Sequence, residues 1–280
     1  MHRMPTGLRH GGEVFEMREL THLSLFSGIG GLDLAAEWAG FKTVGQCEYA
    51  DYPYAVLQKH WPDVPKWRDI RTLTAEDFHA KTRLRTVDII SGGFPCQPFS
   101  VAGKQRGTAD DRYLWPEMCR IVRELHPTWI CGENVPNIKN LALDQVLADL
   151  EGEGYETATL HIPACGVGAW HRRERIAIMG YRKGVARDAR KAICAADTYA
   201  DSKCSKWRGK EQVLRRGELP LPAGRACGAD PLGSMWAAEP GVGRVADGVP
   251  HRVDRLRCLG NAVVPQQFYP IFKAIAEVAR

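Results

Sequence analysis

Over its first two thirds the chain alternates short apolar runs with stretches of helical spacing, and this alternation limits the possible folds more than any other feature. His22–Phe26 reads as a buried strand and Gly31–Ala39 as the helix after it; Lys42–Cys47 and Asp51–His60 repeat the pair. Val87–Ser91 is a strand ending in Gly92-Gly93, and Tyr113–Leu125 has helical spacing. Thr128–Gly132, Leu141–Glu151 and Tyr155–Ile162 then give strand, helix and strand, with Arg175–Gly180 as a further strand. Strands alternating with helices predict an α/β fold: a Rossmann-like, mainly parallel sheet with helices on both faces. Such sheets bind ligands at the carboxyl ends of their strands, so the residues just after each strand form the candidate site.

After Gly180 the pattern decays into a stretch rich in Gly, Pro, Arg and Ala. Between Tyr181 and Gly260 there are 16 Lys and Arg against 9 Asp and Glu, a net +7 in a chain whose total is +5. A basic segment of this kind suits contact with phosphates. Helical pattern returns over Val264–Val278, with Pro265 tolerated in the first turn and Pro270 expected to break or kink the helix or to mark its start. Four segments follow: a polar lead-in (1–20), an α/β domain (21–181), an irregular basic lobe (182–250) and a C-terminal segment (251–280).

Composition closes off other classes. No run approaches the ~20 apolar residues that span a bilayer. Met1–Arg18 lacks the apolar core of a secretory signal, so an intracellular, cytoplasmic protein is expected. The nine cysteines include no CxxC pair, so neither a zinc site nor a disulfide framework is expected, and no metal ligands are assigned.

Two strand ends carry the chemistry. Leu25-Phe26-Ser27-Gly28-Ile29-Gly30-Gly31 joins the first strand to the first helix, where glycines let main chain turn tightly and approach a ligand. Counted from Gly28, the dinucleotide fingerprint GxGxxG fails at its sixth position, Asp33. Glu48 ends the second strand, where a carboxylate can accept hydrogen bonds from ribose hydroxyls. Tyr49 could stack on a purine, and Asp69 could meet its amino group. The second end is Ser91-Gly92-Gly93-Phe94-Pro95-Cys96-Gln97-Pro98-Phe99-Ser100, a loop whose glycines and prolines hold a cysteine at the ligand edge. Glu133-Asn134-Val135 ends the neighbouring strand, and alternation puts Arg173 and Arg175 on one face.

The ordered set Phe26-Ser27-Gly28-Ile29-Gly30, Pro95-Cys96-Gln97, Glu133-Asn134-Val135, Arg173-Glu174-Arg175 and Gly260-Asn261-Ala262-Val263-Val264-Pro265 resembles the cytosine-5 DNA methyltransferase family. The resemblance covers about residues 22–180 and 255–280. It implies a transferase that uses S-adenosylmethionine to methylate carbon 5 of a cytosine flipped out of double-stranded DNA. Cys96 would be the nucleophile and Glu133 would hydrogen-bond the base at N3 and its exocyclic amine. Arg173 would contact the base carbonyl, and Arg175 would hold the Cys96 loop. Phe26, Gly28, Gly30, Glu48, Tyr49, Asp69, Ile70, Leu114, Asn261 and Val263 would bind the cofactor. The resemblance also makes 182–250 the target-recognition lobe and has the C-terminal segment pack back on the catalytic domain. A monomer is expected, and a restriction endonuclease would be its functional partner in a restriction-modification setting of a bacterial or phage-infected cell. Two departures stand out. His171 occupies a position where the family has Gln, and Pro250–Cys258 matches the family poorly.

Three other readings share parts of this pattern. A nicotinamide oxidoreductase would share the sheet and glycine turn but has no use for the Cys96, Glu133 and Arg173 set. An adenine amino-methyltransferase would need DPPY, which Asp51-Tyr52-Pro53-Tyr54 fails at its second residue. A tRNA cytosine-5 methyltransferase of the same family fits the basic lobe equally well and stays open as the alternative.

Overall fold

The computed structural model describes residues 18–96, 113–169, 171–184 and 250–279. Seven strands form one sheet: β1 Leu20–Leu25, β2 Phe41–Cys47, β3 Lys66–Trp67, β4 Ile89–Gly92, β5 Trp129–Asn134, β6 Tyr155–Ile162 and β7 Arg175–Arg182. Their order is β3-β2-β1-β4-β5-β7-β6. The pairs β1–β2, β1–β4, β2–β3 and β4–β5 are parallel. β7 runs antiparallel to both of its neighbours. The expected α/β sheet is therefore present, with one reversed strand that alternation does not show.

The helices cover both faces, and α2 (Asp51–His60) follows β2. On one face, α3 (Ala75–Thr82), α4 (Trp115–Leu125) and α6 (Leu143–Gly152) bury Phe78, Met118, Val122, Val146 and Leu150 against Leu23, Ile90 and Ile130. On the other, α1 (Gly31–Trp38) and the C-terminal helix α8 (Pro265–Ala279) bury Leu32, Ala36, Phe268, Phe272 and Ile275 against Leu20, Ile89 and Cys131. Phe272 packs edge-on to His22 and to Phe41, so the last helix lies directly on the first strands. Fully burying side chains of this size contributes about 1.5–3 kcal/mol each.

Several elements differ from the sequence reading. Leu141–Glu151 is split into a short α5 (Ile138–Leu141) and α6. The irregular stretch before Asp69 contains β3, and α3 follows a single 3-10 turn over Ile70–Thr72. Arg252–Asn261, which up to Cys258 matches the family poorly, is a helix, α7. Pro270 does not break α8, which runs from Pro265 to Ala279. Proline at this position forfeits one main-chain donor, and the apolar face through Phe268, Ile271, Phe272 and Ile275 outweighs that loss. Cys47, Cys96, Cys119, Cys131 and Cys258 are buried thiols outside any disulfide. No helix among the described residues is long and apolar enough to cross a membrane.

Candidate active site

The carboxyl ends of β1, β2 and β3 lie side by side and carry the first group of side chains. The turn after β1 is built from left-handed backbone at Phe26 (φ 52), Gly28 (φ 56) and Gly30 (φ 88). Each glycine of the turn has a different job. A Cβ at Gly28 would meet nothing within 4 Å, so the main chain there borders open space. One at Gly30 would run into the Trp61 ring, and one at Gly31 would sit 2.6 Å from the carbonyl oxygen of Val263. Thus Gly28 leaves room beside the main chain, whereas Gly30 and Gly31 let protein pack closely.

Glu48 ends β2 and organises this edge. Its carboxylate accepts from the Gly28 amide at 2.8 Å and, through its other oxygen, from the Ala50 amide at 2.8 Å. Lone pairs remain for a further donor. Tyr49 beside it is 71% exposed. Arg68 donates to the Tyr49 carbonyl at 2.7 Å, and its guanidinium lies 4.4 Å over the Tyr54 ring. Asp69 follows β3 and accepts from the Arg71 amide at 3.0 Å, capping the turn that contains buried Ile70. Leu114 is the residue before α4 and is half-buried.

Asp33, the residue that breaks the dinucleotide fingerprint, has a different task beneath the turn. It is fully buried and accepts from Ser24 Oγ at 2.9 Å and from Gln46 Nε2 at 2.8 Å, tying α1 to β1 and β2. Burial pushes its carboxyl up to about 6. An acidic residue on the inward face of a helix start was the sequence signal for this tie.

The second group sits at the ends of β4, β5 and β7. Cys96 is 8% exposed, and Sγ donates to Asn134 Oδ1 at 2.8 Å. The same oxygen accepts from the Val135 amide at 3.0 Å, while Asn134 Nδ2 donates to the Phe94 carbonyl at 2.9 Å. Asn134 therefore grips the cysteine loop at two points, a role that the sequence reading did not assign to it. Burial raises the Cys96 thiol above its ordinary value, and the nearby Glu133 charge adds to the effect. Gln97 and Pro98 lie outside the described residues, as do 1–17 and 185–249, which hold nearly all of the lead-in and the basic lobe.

Glu133 is 8% exposed and reaches close to this loop. A Cβ at Gly93 would lie 2.8 Å from Glu133 Oε2, so any other residue there would require the carboxylate to shift. Arg175 Nε pairs with Glu133 Oε1 at 2.7 Å, both side chains being 11% exposed. Burial raises the Glu133 carboxyl, with Arg175 and then Arg173 opposing it. Arg173 points elsewhere: its Nη2 donates to the carbonyls of Gly260 at 2.7 Å, Leu259 at 3.4 Å and Ala262. Strand alternation does not govern it, because it precedes β7 and has a left-handed φ of 32. Asn261 ends α7 and is exposed; Val263 is half-buried over the start of α1. Among the described residues no cluster of His, Cys, Asp and Glu could hold a metal ion.

Comparison with known proteins supports one family. The model of the C-5 cytosine-specific DNA methylase family matches residues 20–211. The type II methyltransferase M.NgoPII of Neisseria gonorrhoeae is 35% identical over 167 residues, 58% of this chain and 48% of that protein. M.HgiCII of Herpetosiphon aurantiacus is 30% identical over 172 residues, 60% of this chain and 38% of that protein. The chain thus spans about half or less of the length of these curated relatives. A prophage-encoded E. coli protein described as a DNA modification methyltransferase superposes with a TM-score of 0.51 at 28% identity, covering 60% of this chain and 48% of that one. Spodoptera frugiperda DNMT2 shares the fold at 23% identity, with a TM-score of 0.51 over 60% of this chain and 51% of that one.

Proposed function

The chain belongs to the C-5 cytosine-specific DNA methylase family, and from that premise we propose that it methylates carbon 5 of cytosine in duplex DNA, with S-adenosylmethionine as methyl donor and Cys96 as covalent nucleophile. One observation carries the reading: Cys96, Asn134 and the Glu133–Arg175 pair share a sheet edge with the Gly28–Glu48 turn. A nucleophile, a base-recognising carboxylate and a nucleoside site are thereby assembled from consecutive strand ends.

The residues at the β1–β3 edge fit S-adenosylmethionine. Open space at Gly28 admits a ligand against main chain. Glu48 can accept from ribose hydroxyls with its remaining lone pairs, and Tyr49 offers a free aromatic face. Phe26, Gly30, Asp69, Ile70, Leu114, Asn261 and Val263 complete the proposed pocket. When bound, the cofactor supplies an electrophilic methyl group.

At the other edge the chain's residues activate the base. Carbon 5 of cytosine is a weak nucleophile. Attack of the Cys96 thiolate on carbon 6 forms a carbon–sulfur bond and moves the ring π electrons toward carbon 5 and the N3 side. Glu133 is placed to hydrogen-bond N3 and the exocyclic amine as that charge builds. After the methyl is accepted at carbon 5, loss of the carbon-5 proton restores the double bond and expels Cys96. Such a path needs the base outside the helix. The Arg175–Glu133 pair favours Arg175 as the guanidinium facing the base carbonyl, the role that the motif assigned to Arg173, while Arg173 holds the C-terminal segment instead. In the ligand-free protein Sγ donates to Asn134 and burial raises the thiol, so attack on carbon 6 requires that this proton first be lost to a base.

The relatives' naming as type II methyltransferases supports DNA over tRNA and a restriction-modification setting. Target recognition is assigned to 182–250 on its basic charge. The direct test is transfer of labelled methyl from S-adenosylmethionine to duplex DNA and, in parallel, to tRNA. Incorporation into DNA, mapped to cytosine by bisulfite sequencing, is the expected result. Incorporation into tRNA alone would replace the substrate, and none into either would remove the reading.

A further inference from the structure

The β6–β7 connection is held shut by a residue outside the motif set. Gln267 lies in α8 and is fully buried. Its Nε2 donates to the Ile162 carbonyl at 2.7 Å and to the Arg173 carbonyl at 2.9 Å. Ile162 closes β6 and is the register partner of Arg175, so the two carbonyls flank the entry to β7. Gln267 Oε1 has no partner among the described residues. A buried unpaired oxygen costs roughly 1–3 kcal/mol, so an apolar side chain would suit packing alone better. What the amide does that an apolar residue cannot is bind the Arg173 main chain in its left-handed turn.

Arg173 returns the contact. Its guanidinium binds the carbonyls of Gly260 and Ala262, on the link that leads from α7 into α8 and so to Gln267. A side chain of the C-terminal segment grips the main chain at Arg173, and the Arg173 side chain grips the main chain of that segment. Both ends of this arrangement touch the site. Two residues beyond Arg173, Arg175 pairs with Glu133 at 2.7 Å. On the other side, Val263 stands against Gly31 at the cofactor turn, where a Cβ would lie 2.6 Å from its oxygen.

We infer that Gln267 and Arg173 form a reciprocal clamp that positions the 259–263 link as a wall of the cofactor pocket and sets the Glu133–Arg175 pair at the same time. Gln267 is thus a positioning residue for both cofactor binding and methyl transfer. The clamp's contacts rest on geometry, and its effects on cofactor binding and methyl transfer rest on the proposed function.

The test is a double-mutant cycle over Gln267→Met and Arg173→Met, using S-adenosylhomocysteine calorimetry and single-turnover methyl transfer to DNA. Measurements are made where near-ultraviolet circular dichroism shows every variant folded. Each single variant is expected to bind S-adenosylhomocysteine about tenfold more weakly and to transfer methyl about tenfold more slowly, and the double variant is expected to be no worse than the worse single one. Arg173→Lys, which keeps one donor, is expected to recover part of the loss. Folded variants with wild-type affinity, or losses that multiply in the double variant, would overturn the clamp. Should Gln267→Met fail to fold, Arg173→Met and Arg173→Lys decide the matter by the same readouts. An inactive wild-type protein would count against the methyltransferase reading instead, leaving calorimetry to judge the clamp.

Discussion

The two halves of the sheet's carboxyl edge are built on different principles. At β1–β3 the groups proposed to bind the cofactor are open: Tyr49 is 71% exposed, Gly28 borders empty space, and Glu48 is oriented by main-chain amides. At β4, β5 and β7 the groups proposed to act on the base are closed in: Cys96 and Glu133 are each 8% exposed, and burial raises both. A binding edge needs shape and accessible acceptors. A chemical edge needs groups whose protonation changes only when substrate arrives, and burial supplies that restraint. The cofactor half has its own buried titratable group in Asp33, but it lies beneath the turn and ties elements together rather than facing a ligand.

If the halves are distinct, changes in one should leave the other's function in place. The largest effect is expected at the chemical edge. Cys96→Ser should lower methyl transfer at least ~10³-fold while S-adenosylhomocysteine affinity, measured by calorimetry, stays within about twofold. A matching loss of affinity would break the separation. Arg175→Met comes next, because it strips Glu133 of its partner. Denaturant titration should show a stability loss of about 2–4 kcal/mol, and adding Glu133→Gln should recover at least half of it. No recovery would mean that the pair contributes through packing rather than charge.

Asp33→Asn probes the support beneath the cofactor turn. Burial holds the Asp33 carboxyl at about 6 against an ordinary 3.8. The folded state keeps a proton that the unfolded chain releases, so this group's contribution is complete below about pH 4 and is lost as pH rises through 6. The loss reaches about 3 kcal/mol by pH 8. Stability of Asp33→Asn relative to wild type should therefore grow between pH 4 and pH 8. His22, held down to about 3 by burial, is common to both proteins and cancels in the difference. A pH-independent difference would show that Asp33 is ionised in the folded protein. The smallest stability effects are expected at the turn glycines. Gly28→Ala should cost about 1–2 kcal/mol for its left-handed backbone, and weaken S-adenosylhomocysteine while sparing the rate at saturation. Gly31→Ala should instead displace Val263, destabilising the fold by about 1–3 kcal/mol.

The sequence made the edge legible but not the wiring within it. Strands β1, β2, β4 and β5 are apolar runs stopped by glycine, Glu or Asn, so the residues after them could be picked out. β3 has only two residues, paired to Gln46 and Cys47 through main chain, and leaves no periodicity to read. α3 and α7 bury one residue each, Phe78 and Cys258, and leave little helical pattern to read. For α3 a signal did exist: Thr74 caps the helix by accepting from the Asp77 amide at 3.2 Å. Strand alternation put Arg173 and Arg175 on one face, yet the left-handed turn at Arg173 sends its guanidinium to the C-terminal segment. Asn134 and Gln267 were hidden for a related reason: their partners are main-chain carbonyls and a thiol far along the chain, and no local pattern marks such contacts.

Covalent trapping addresses the nucleophile most directly. Wild-type protein is incubated with S-adenosylmethionine and duplex DNA in which every cytosine is 5-fluorocytosine. Fluorine at carbon 5 cannot leave as a proton does, so the step that expels the cysteine is blocked. A stable protein–DNA adduct, mapped by mass spectrometry to the peptide that carries Cys96 and missing from Cys96→Ser, is the expected result. An adduct at another residue, or methylation of ordinary DNA by Cys96→Ser at the wild-type rate, would contradict it.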